Sequence, residues 1–170
     1  MPPRSKLLAV AGIALVALGA IAFMAWRFNA ADDGDAGFAL APTTRAVAPF
    51  SMFDEARVAI DKDCKRLLIA RSQAQRVQGL RDVTDLAPYD GMLFVFPSET
   101  TARFTMANTP MALDITFLDA NGVPVDSKTM EPCPDGGDAS CPQHASDRKY
   151  RYALEVPAGG SGGALGTCSA

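Results

Sequence analysis

Hydrophobic and polar positions fall into three regimes along the chain. From Leu7 to Trp26 every residue is apolar or glycine, with no charge. Residues 28 to 52 show no period and are rich in Ala, Asp, Pro and Thr, which reads as an extended linker. From residue 53 onward, short apolar or alternating runs recur between turn residues.

The first regime has the length of a membrane span. At about 1.5 Å per residue, roughly 20 residues cover about 30 Å of hydrocarbon. Arg4 and Lys6 precede the run, and Trp26 and Arg27 sit where an interfacial anchor belongs. Positive charge before the span predicts a cytoplasmic N-terminus and a domain outside. Residues 1–27 are therefore expected to be a signal anchor in the cell membrane, with secretion after signal cleavage as the alternative. The run is longer than the usual apolar core of a cleaved signal. The best small-x-small site, Ala39–Ala41, is followed by Pro42, a poor residue after a cut.

The third regime, residues 53–170, predicts a mainly β domain. Residues 56–60 and 65–70 read as short strands. Residues 72–80 read as the one helix, with Ser72 and Gln75 spaced as a capping box and Gly79 suited to a left-handed end. Ala74, Val77 and Leu80 recur at helical spacing and are expected to face the core. Residues 92–96 are apolar throughout, as in a strand covered on both faces. Residues 103–107 alternate, and Leu113, Ile115 and Phe117 share a face opposite Asp114 and Thr116. Residues 119–122 form a turn, and Pro124 places the returning strand at an edge or bulge. Residues 150–156 read as the last strand, and the glycine-rich tail as mostly flexible until Cys168. About seven short strands and one helix predict a small β sandwich or partly open barrel.

Composition adds exclusions. The chain has 170 residues, a net charge of −3 and no basic run. That argues against a nucleic-acid partner, which needs clustered Lys and Arg. His144 is the single histidine, so mechanisms needing several imidazoles fall away. The even number of cysteines, in an exported domain, reads as two disulfides. Of the three pairings, Cys133–Cys141 and Cys64–Cys168 are favoured: the first pair brackets a flexible Pro/Gly/Asp loop, and the second joins the domain's opening to its end.

An ordered set of residues resembles a known family. It comprises Arg76, Gly79 and Leu80; Gly91 to Phe96; Phe104, Met106, Asn108 and Thr109; Leu113, Asp114, Ile115 and Phe117; Gly122; and Ala153 to Val156 before Ala158 and Gly159. This looks like the bacterial and archaeal family called domain of unknown function 192, over roughly residues 64–159. The arrangement around Cys133–Cys141 looks most like actinobacterial members. The resemblance implies a mainly β fold, often exported or membrane-anchored, and carries no biochemical role. The chain departs from the usual pattern at Thr105, Ala107 and Ala112, where Trp, Lys and Pro are typical, so a ligand site built on that Trp and Lys does not carry over.

The candidate ligand-binding residues are Arg76, Arg103, Asn108, Thr109 and Asp114. One carboxylate, an amide and arginines can orient a small anionic or sugar-like ligand. The plainer alternative is structural, with Asp114 capping a turn or pairing with Arg76. Met92, Met106, Met111 and Met130 lack a paired Met-x-Met spacing and read as core rather than a copper site. Cys133, Cys141 and His144 supply only three local zinc ligands, fewer than a closed site needs. Residues 159–163 match Gly-x-Ser-x-Gly in letters but lack the strand and helix the motif requires. Asp114, Asp119 or Glu155 could pair for glycoside hydrolysis, although sequence does not fix their separation. No cofactor, metal or catalytic residue is expected. The leading expectation is a non-catalytic binding or accessory module of the cell envelope, acting on an unidentified envelope ligand or protein. Alternatives are an envelope hydrolase acting on a glycan or ester, and a structural partner of another membrane protein.

Overall fold

The computed structural model describes residues 37–134, 137, 139–160 and 162–168. In chain order the elements are β1 (Thr44–Arg45), β2 (Asp54–Ile60), β3 (Asp63–Ala70), α1 (Gln73–Gln78), β4 (Gly91–Thr100), β5 (Phe104–Thr105), β6 (Leu113–Leu118), β7 (Pro124–Met130), β8 (Gln143–His144), β9 (Tyr150–Pro157) and β10 (Leu165–Gly166). The apolar run Leu7–Trp26 and the question of its cleavage lie outside the described residues. No helix among those described is long and apolar enough to cross a membrane.

The larger sheet runs in the order β1-β2-β3-β4-β9-β6-β7, with β10 also on β2, while β5 and β8 form a separate ribbon. The main strands therefore share one sheet and do not form two facing ones. That resolves the expected sandwich or partly open barrel toward an open, curled sheet. The curl is visible in the tail. Strand β10 pairs with β2 near one edge of the sheet, through Leu165–Ile60 and Gly166–Ala59. The same Leu165 donates its amide to the Gly122 carbonyl, in the β6–β7 turn at the other edge, at 2.8 Å.

All pairings in the larger sheet are antiparallel except β3 with β4, where Leu67 to Ala70 lie beside Gly91 to Phe94. A parallel pair needs a crossover, and residues 71–90, carrying α1, supply it. The apolar continuity of β4 now has its reason: Met92 and Phe94 point into one core with Leu68, Ile115, Phe117 and Ala153. Leu93 points into a second core with Val58, Ile69, Leu118 and Leu154. Strand alternation thus feeds two cores on the two faces of one sheet.

Four local expectations change. Gly79 has a positive φ of 50° but an extended ψ of −139°, so it ends α1 without adopting the left-handed helical form. Val77 and Ala74 do not face the core; α1 has no buried residue, and Val77 is 61% exposed. The helix has fewer than two turns, and its anchor is Leu80, just past its end and 3% exposed. The segment read as a linker is, from residue 37 on, part of the packed domain: Ala46 and Phe50 are buried, Phe50 meets the Tyr89 ring edge-on at 5.5 Å, and Phe38 meets Tyr152 at 5.3 Å. Val47 donates its amide to the Tyr89 hydroxyl at 2.9 Å. That hydroxyl donates in turn to Glu55, which also accepts from Arg66 at 2.8 Å, and Tyr89 followed by Arg66 holds the Glu55 carboxyl below its ordinary range.

Likewise the tail is not loose before Cys168. Leu165 is buried, Ala164 accepts from the Asp61 amide at 2.8 Å, and a side chain at Gly162 or Gly163 would collide with Thr116 or Asp61. Glycine there serves close approach. Cys64–Cys168 and Cys133–Cys141 are both disulfides, with Cα–Cα distances of 5.5 and 6.1 Å. Pro124 opens β7 at the sheet edge, with a register shift beside it between Phe117 and Leu118.

Candidate functional site

On the face of the sheet that bears α1 lies a cleft of about 580 Å³. Its walls are α1, the far half of β4 and the segment 102–106; its floor reaches Leu113 on β6 and Glu155 on β9. The capping box fixes the helix start: Gln75 donates its amide to the Ser72 hydroxyl at 3.2 Å, and Ser72 returns its amide to Gln75 Oε1 at 2.9 Å. Gln75 Nε2 donates to the Met52 carbonyl at 2.8 Å, tying the helix to the preceding loop. At the other end Arg81 donates to the Val77 carbonyl at 3.2 Å and the Ala107 carbonyl at 3.0 Å, joining the helix end to the opposite wall. Asp82 adds a backbone bond to the Asn108 carbonyl at 2.8 Å. The cleft is therefore bounded by segments bonded to each other.

The apolar wall is aromatic. Phe104 lies edge-on to Phe94 at 5.0 Å and to Phe117 at 5.8 Å, and Phe96 lies edge-on to Tyr150 at 5.5 Å. The Tyr150 hydroxyl donates to the Ala102 carbonyl at 2.8 Å, and burial raises its pKa. Arg76 spans the wall: its guanidinium stands 5.1 Å over the Phe96 ring and donates to the Val95 carbonyl at 3.1 Å and to Arg71. Arg103 is exposed at the mouth and has no hydrogen-bond or ion-pair partner among the described residues. Glu99 is exposed on the same rim.

The floor holds the group that sequence reasoning mentioned only in passing. Glu155 is 5% exposed, and no donor among the described residues reaches its carboxyl. It occupies a cross-strand row with Met92 on β4 and Ile115 on β6, both fully buried. Burial pushes its pKa up to about 8. Alternation along β9 already puts Glu155 on the face of Ala153 rather than of Leu154 and Val156. What sequence cannot show is that a hollow opens over that face.

Of the five residues proposed from sequence, Arg76, Arg103 and Thr109 line this cleft. Thr109 is buried, with its hydroxyl 3.5 Å from the Ala107 carbonyl as donor. Asn108 is outside the lining; with φ of 58° it shapes the loop, its amide donating to the Cys133 carbonyl at 3.0 Å. Asp114 does not converge with the arginines. It lies on the other face, where it accepts from the Thr129 hydroxyl at 2.6 Å and the Gly159 amide at 2.8 Å. That is the turn-capping role, and no pairing with Arg76. A hydrolytic pair of Asp114 with Glu155 is excluded by the same alternation. Cys133 and Cys141 are joined to one another, so they are not thiolate ligands beside His144. His144 Nε2 is buried with no partner among the described residues, and burial, then Lys128, lowers its pKa.

Among the described residues, an open, mostly antiparallel β sheet with a cleft under its short crossover helix defines a small, mainly β domain. The chain belongs to the DUF192 family, described as Uncharacterized ACR, whose profile matches residues 56–162. Among solved structures it is similar to a protein of unknown function from Novosphingobium aromaticivorans DSM 12444. The two are 22% identical with a TM-score of 0.59, over 75% of this chain and 94% of that one. It is also similar to a putative transcription regulator from Sinorhizobium meliloti 1021, at 25% identity and a TM-score of 0.57, over 67% of this chain and 94% of that one. No curated protein matches this chain.

Proposed function

We propose that this protein is a membrane-tethered extracytoplasmic module whose cleft binds a small envelope ligand without reacting it. One observation carries the reading: the cleft of about 580 Å³ combines aromatic walls with an arginine at its mouth and a carboxyl at its floor, both unpaired among the described residues. Ligand sites typically span about 300–1,000 Å³ and have this mixture of apolar lining and few polar groups. The apolar run Leu7–Trp26 supports the tether, and two disulfides support an oxidising compartment.

Methionine-methyl spectra of the full-length protein in nanodiscs test the binding reading. Met106 lines the cleft, whereas Met52 is exposed and outside its lining. Sugars, sugar acids, sugar phosphates, amino acids and short peptides form the panel. A bound ligand shifts Met106 and leaves Met52 in place; a panel that never moves Met106 sinks the proposal. Membrane fractionation with N-terminal sequencing tests the tether, which fails if the mature chain begins beyond Trp26.

A second reading as a hydrolase draws on Glu155. A carboxyl kept protonated near neutral pH suits a general acid. Among the described residues its carboxylate companion in the lining is the exposed Glu99. Product release from glycan or ester substrates, lost in Glu155→Gln, would favour this reading over plain binding.

A further inference from the structure

We propose that the ligand of this cleft is a polyhydroxylated organic anion, a sugar acid or sugar phosphate, whose acid group is held at Arg103 and whose hydroxyls seat on the Glu155 carboxyl. This rests on the binding reading above and names the chemistry of that same site.

The mouth selects the charge. Arg76, Arg81 and Arg103 face it against the single Glu99. Arg81 is committed to the Val77 and Ala107 carbonyls, and Arg76 spends one nitrogen on the Val95 and Arg71 carbonyls. Arg103 is left with its whole guanidinium fork, which matches a carboxylate or a phosphate in two parallel hydrogen bonds. A cationic ligand would have to pass this rim.

The wall selects the body. Phe94, Phe96 and Phe104 line the cleft between α1 and the 102–106 segment, with the Arg76 guanidinium over one face of Phe96. A ring of C–H groups with hydroxyls at its edge can lie against such a surface and keep its polar groups free for the floor.

The floor selects the hydroxyl. Glu155 is 5% exposed and lines the cleft, and no donor among the described residues bonds its carboxyl, so the oxygens that reach the hollow are left for a ligand. Its neighbours on the sheet are Met92 and Ile115, neither of which can donate. Charged groups facing this side are Arg76, Arg81, Arg103 and Glu99 in the cleft. Lys128 lies one strand beyond Ile115 in the same row and is ion-paired with Asp126 at 3.3 Å. An un-ionised carboxyl both donates and accepts, as a sugar hydroxyl does. It also adds no negative charge to oppose the anion until it ionises, near pH 8.

The experiment uses the full-length protein in nanodiscs with four probes: D-glucuronate, D-glucose 6-phosphate, D-glucose and L-lysine. The Met106 methyl signal is titrated at pH 7 and pH 9. Glucuronate or glucose 6-phosphate is expected to bind saturably, at least about tenfold tighter than glucose or lysine. Whichever of the two binds tighter identifies a carboxylate or a phosphate as the acid group. Arg103→Ala should weaken the anion about tenfold. Raising the pH to 9 should weaken it about fivefold or more in the wild type, with the ratio falling to near one in Glu155→Gln. Circular dichroism confirms that each variant is folded, and Arg103→Ala, at an exposed position, serves if a Glu155 variant is not. Binding of glucose or lysine in preference to both anions overturns the ligand class while sparing the binding reading. An anion that binds equally at both pH values overturns the role of Glu155. If none of the four moves Met106 the proposal is wrong, and the wider panel then decides whether any ligand enters the cleft.

Discussion

Glu155 stands directly across from Ile115 on β6, a carboxyl opposite a fully buried apolar side chain, in the middle of a sheet. Burial raises its pKa from 4.5 to about 8, so the folded state favours the protonated form. The linkage has a definite sign. The folded protein binds this proton more tightly than the unfolded chain, so stability is greatest below about pH 4.5 as far as this group is concerned. It declines as pH rises through about 8. Denaturant unfolding between pH 5 and 9 should show a loss on the order of a few kcal/mol, and Glu155→Gln should flatten that slope. An equally steep slope in the variant would assign it to other groups.

Gly91 has no room for a methyl group. A Cβ there would come within 2.5 Å of the Glu155 carbonyl and 2.9 Å of Val156 Cγ1. The first contact is backbone in a paired strand and cannot turn aside. Gly91→Ala should cost about 1–3 kcal/mol and lower the melting temperature by several degrees. It should also disturb the cleft floor, because the atom it strikes belongs to Glu155. A melting temperature equal to the wild type would show that β4 and β9 sit farther apart than described.

The short helix gives a contrast between neighbours. Leu80 is 3% exposed and Val77 is 61% exposed. Leu80→Ala should destabilise by about 2–4 kcal/mol, while Val77→Ala should stay within about 0.5 kcal/mol. Comparable losses from both, measured by urea unfolding, would place Val77 in a buried contact after all.

The Cys64–Cys168 bridge closes a loop with a sequence separation of 104. Chain-entropy models give about 4–5 kcal/mol for such a loop, an upper value. Replacing both cysteines with serine should remove about 2–4 kcal/mol and free β10 from β2 first. The comparison is a thermal melt and hydrogen exchange at Ala59 and Ile60. Fast exchange there with slow exchange at Leu93 is the expected pattern; unchanged exchange at both would mean β10 holds without the bridge.

Much of the fold was legible because strand alternation and apolar runs are local signals. Residues 92–96 and 113–117, the Ser72–Gln75 capping box and both disulfides were read correctly, and the family followed from an ordered set of residues. The misreadings arose where local pattern and long-range contact part company. Register is not local, so nothing in residues 65–70 and 92–96 shows that they run parallel. The glycine-rich tail looked loose because glycine serves both mobility and tight approach, and only the positions of Thr116 and Asp61 reveal which. Val77 misled because a helix of six residues does not bury a full face. For the site, arginines flanking a wall were visible as residue types, whereas convergence was not. Asp114 and Glu155 are both single carboxylates within apolar strands, and only the sheet's two faces tell the turn cap from the cleft floor.

The tail also sets an order of events. The β2–β3 hairpin joins residues close in sequence and can form as soon as it is made. Its outer edge beside Ala59 and Ile60 then waits for residues 165 and 166, and Cys64 waits for Cys168, more than a hundred positions later. Throughout that interval a thiol and an unpaired strand edge stand open while Cys133 and Cys141 come within reach. Those two are eight residues apart, against 104 for Cys64 and Cys168, so theirs is the loop with the smaller closure cost. Completion of the fold is thus timed by the arrival of its last paired strand.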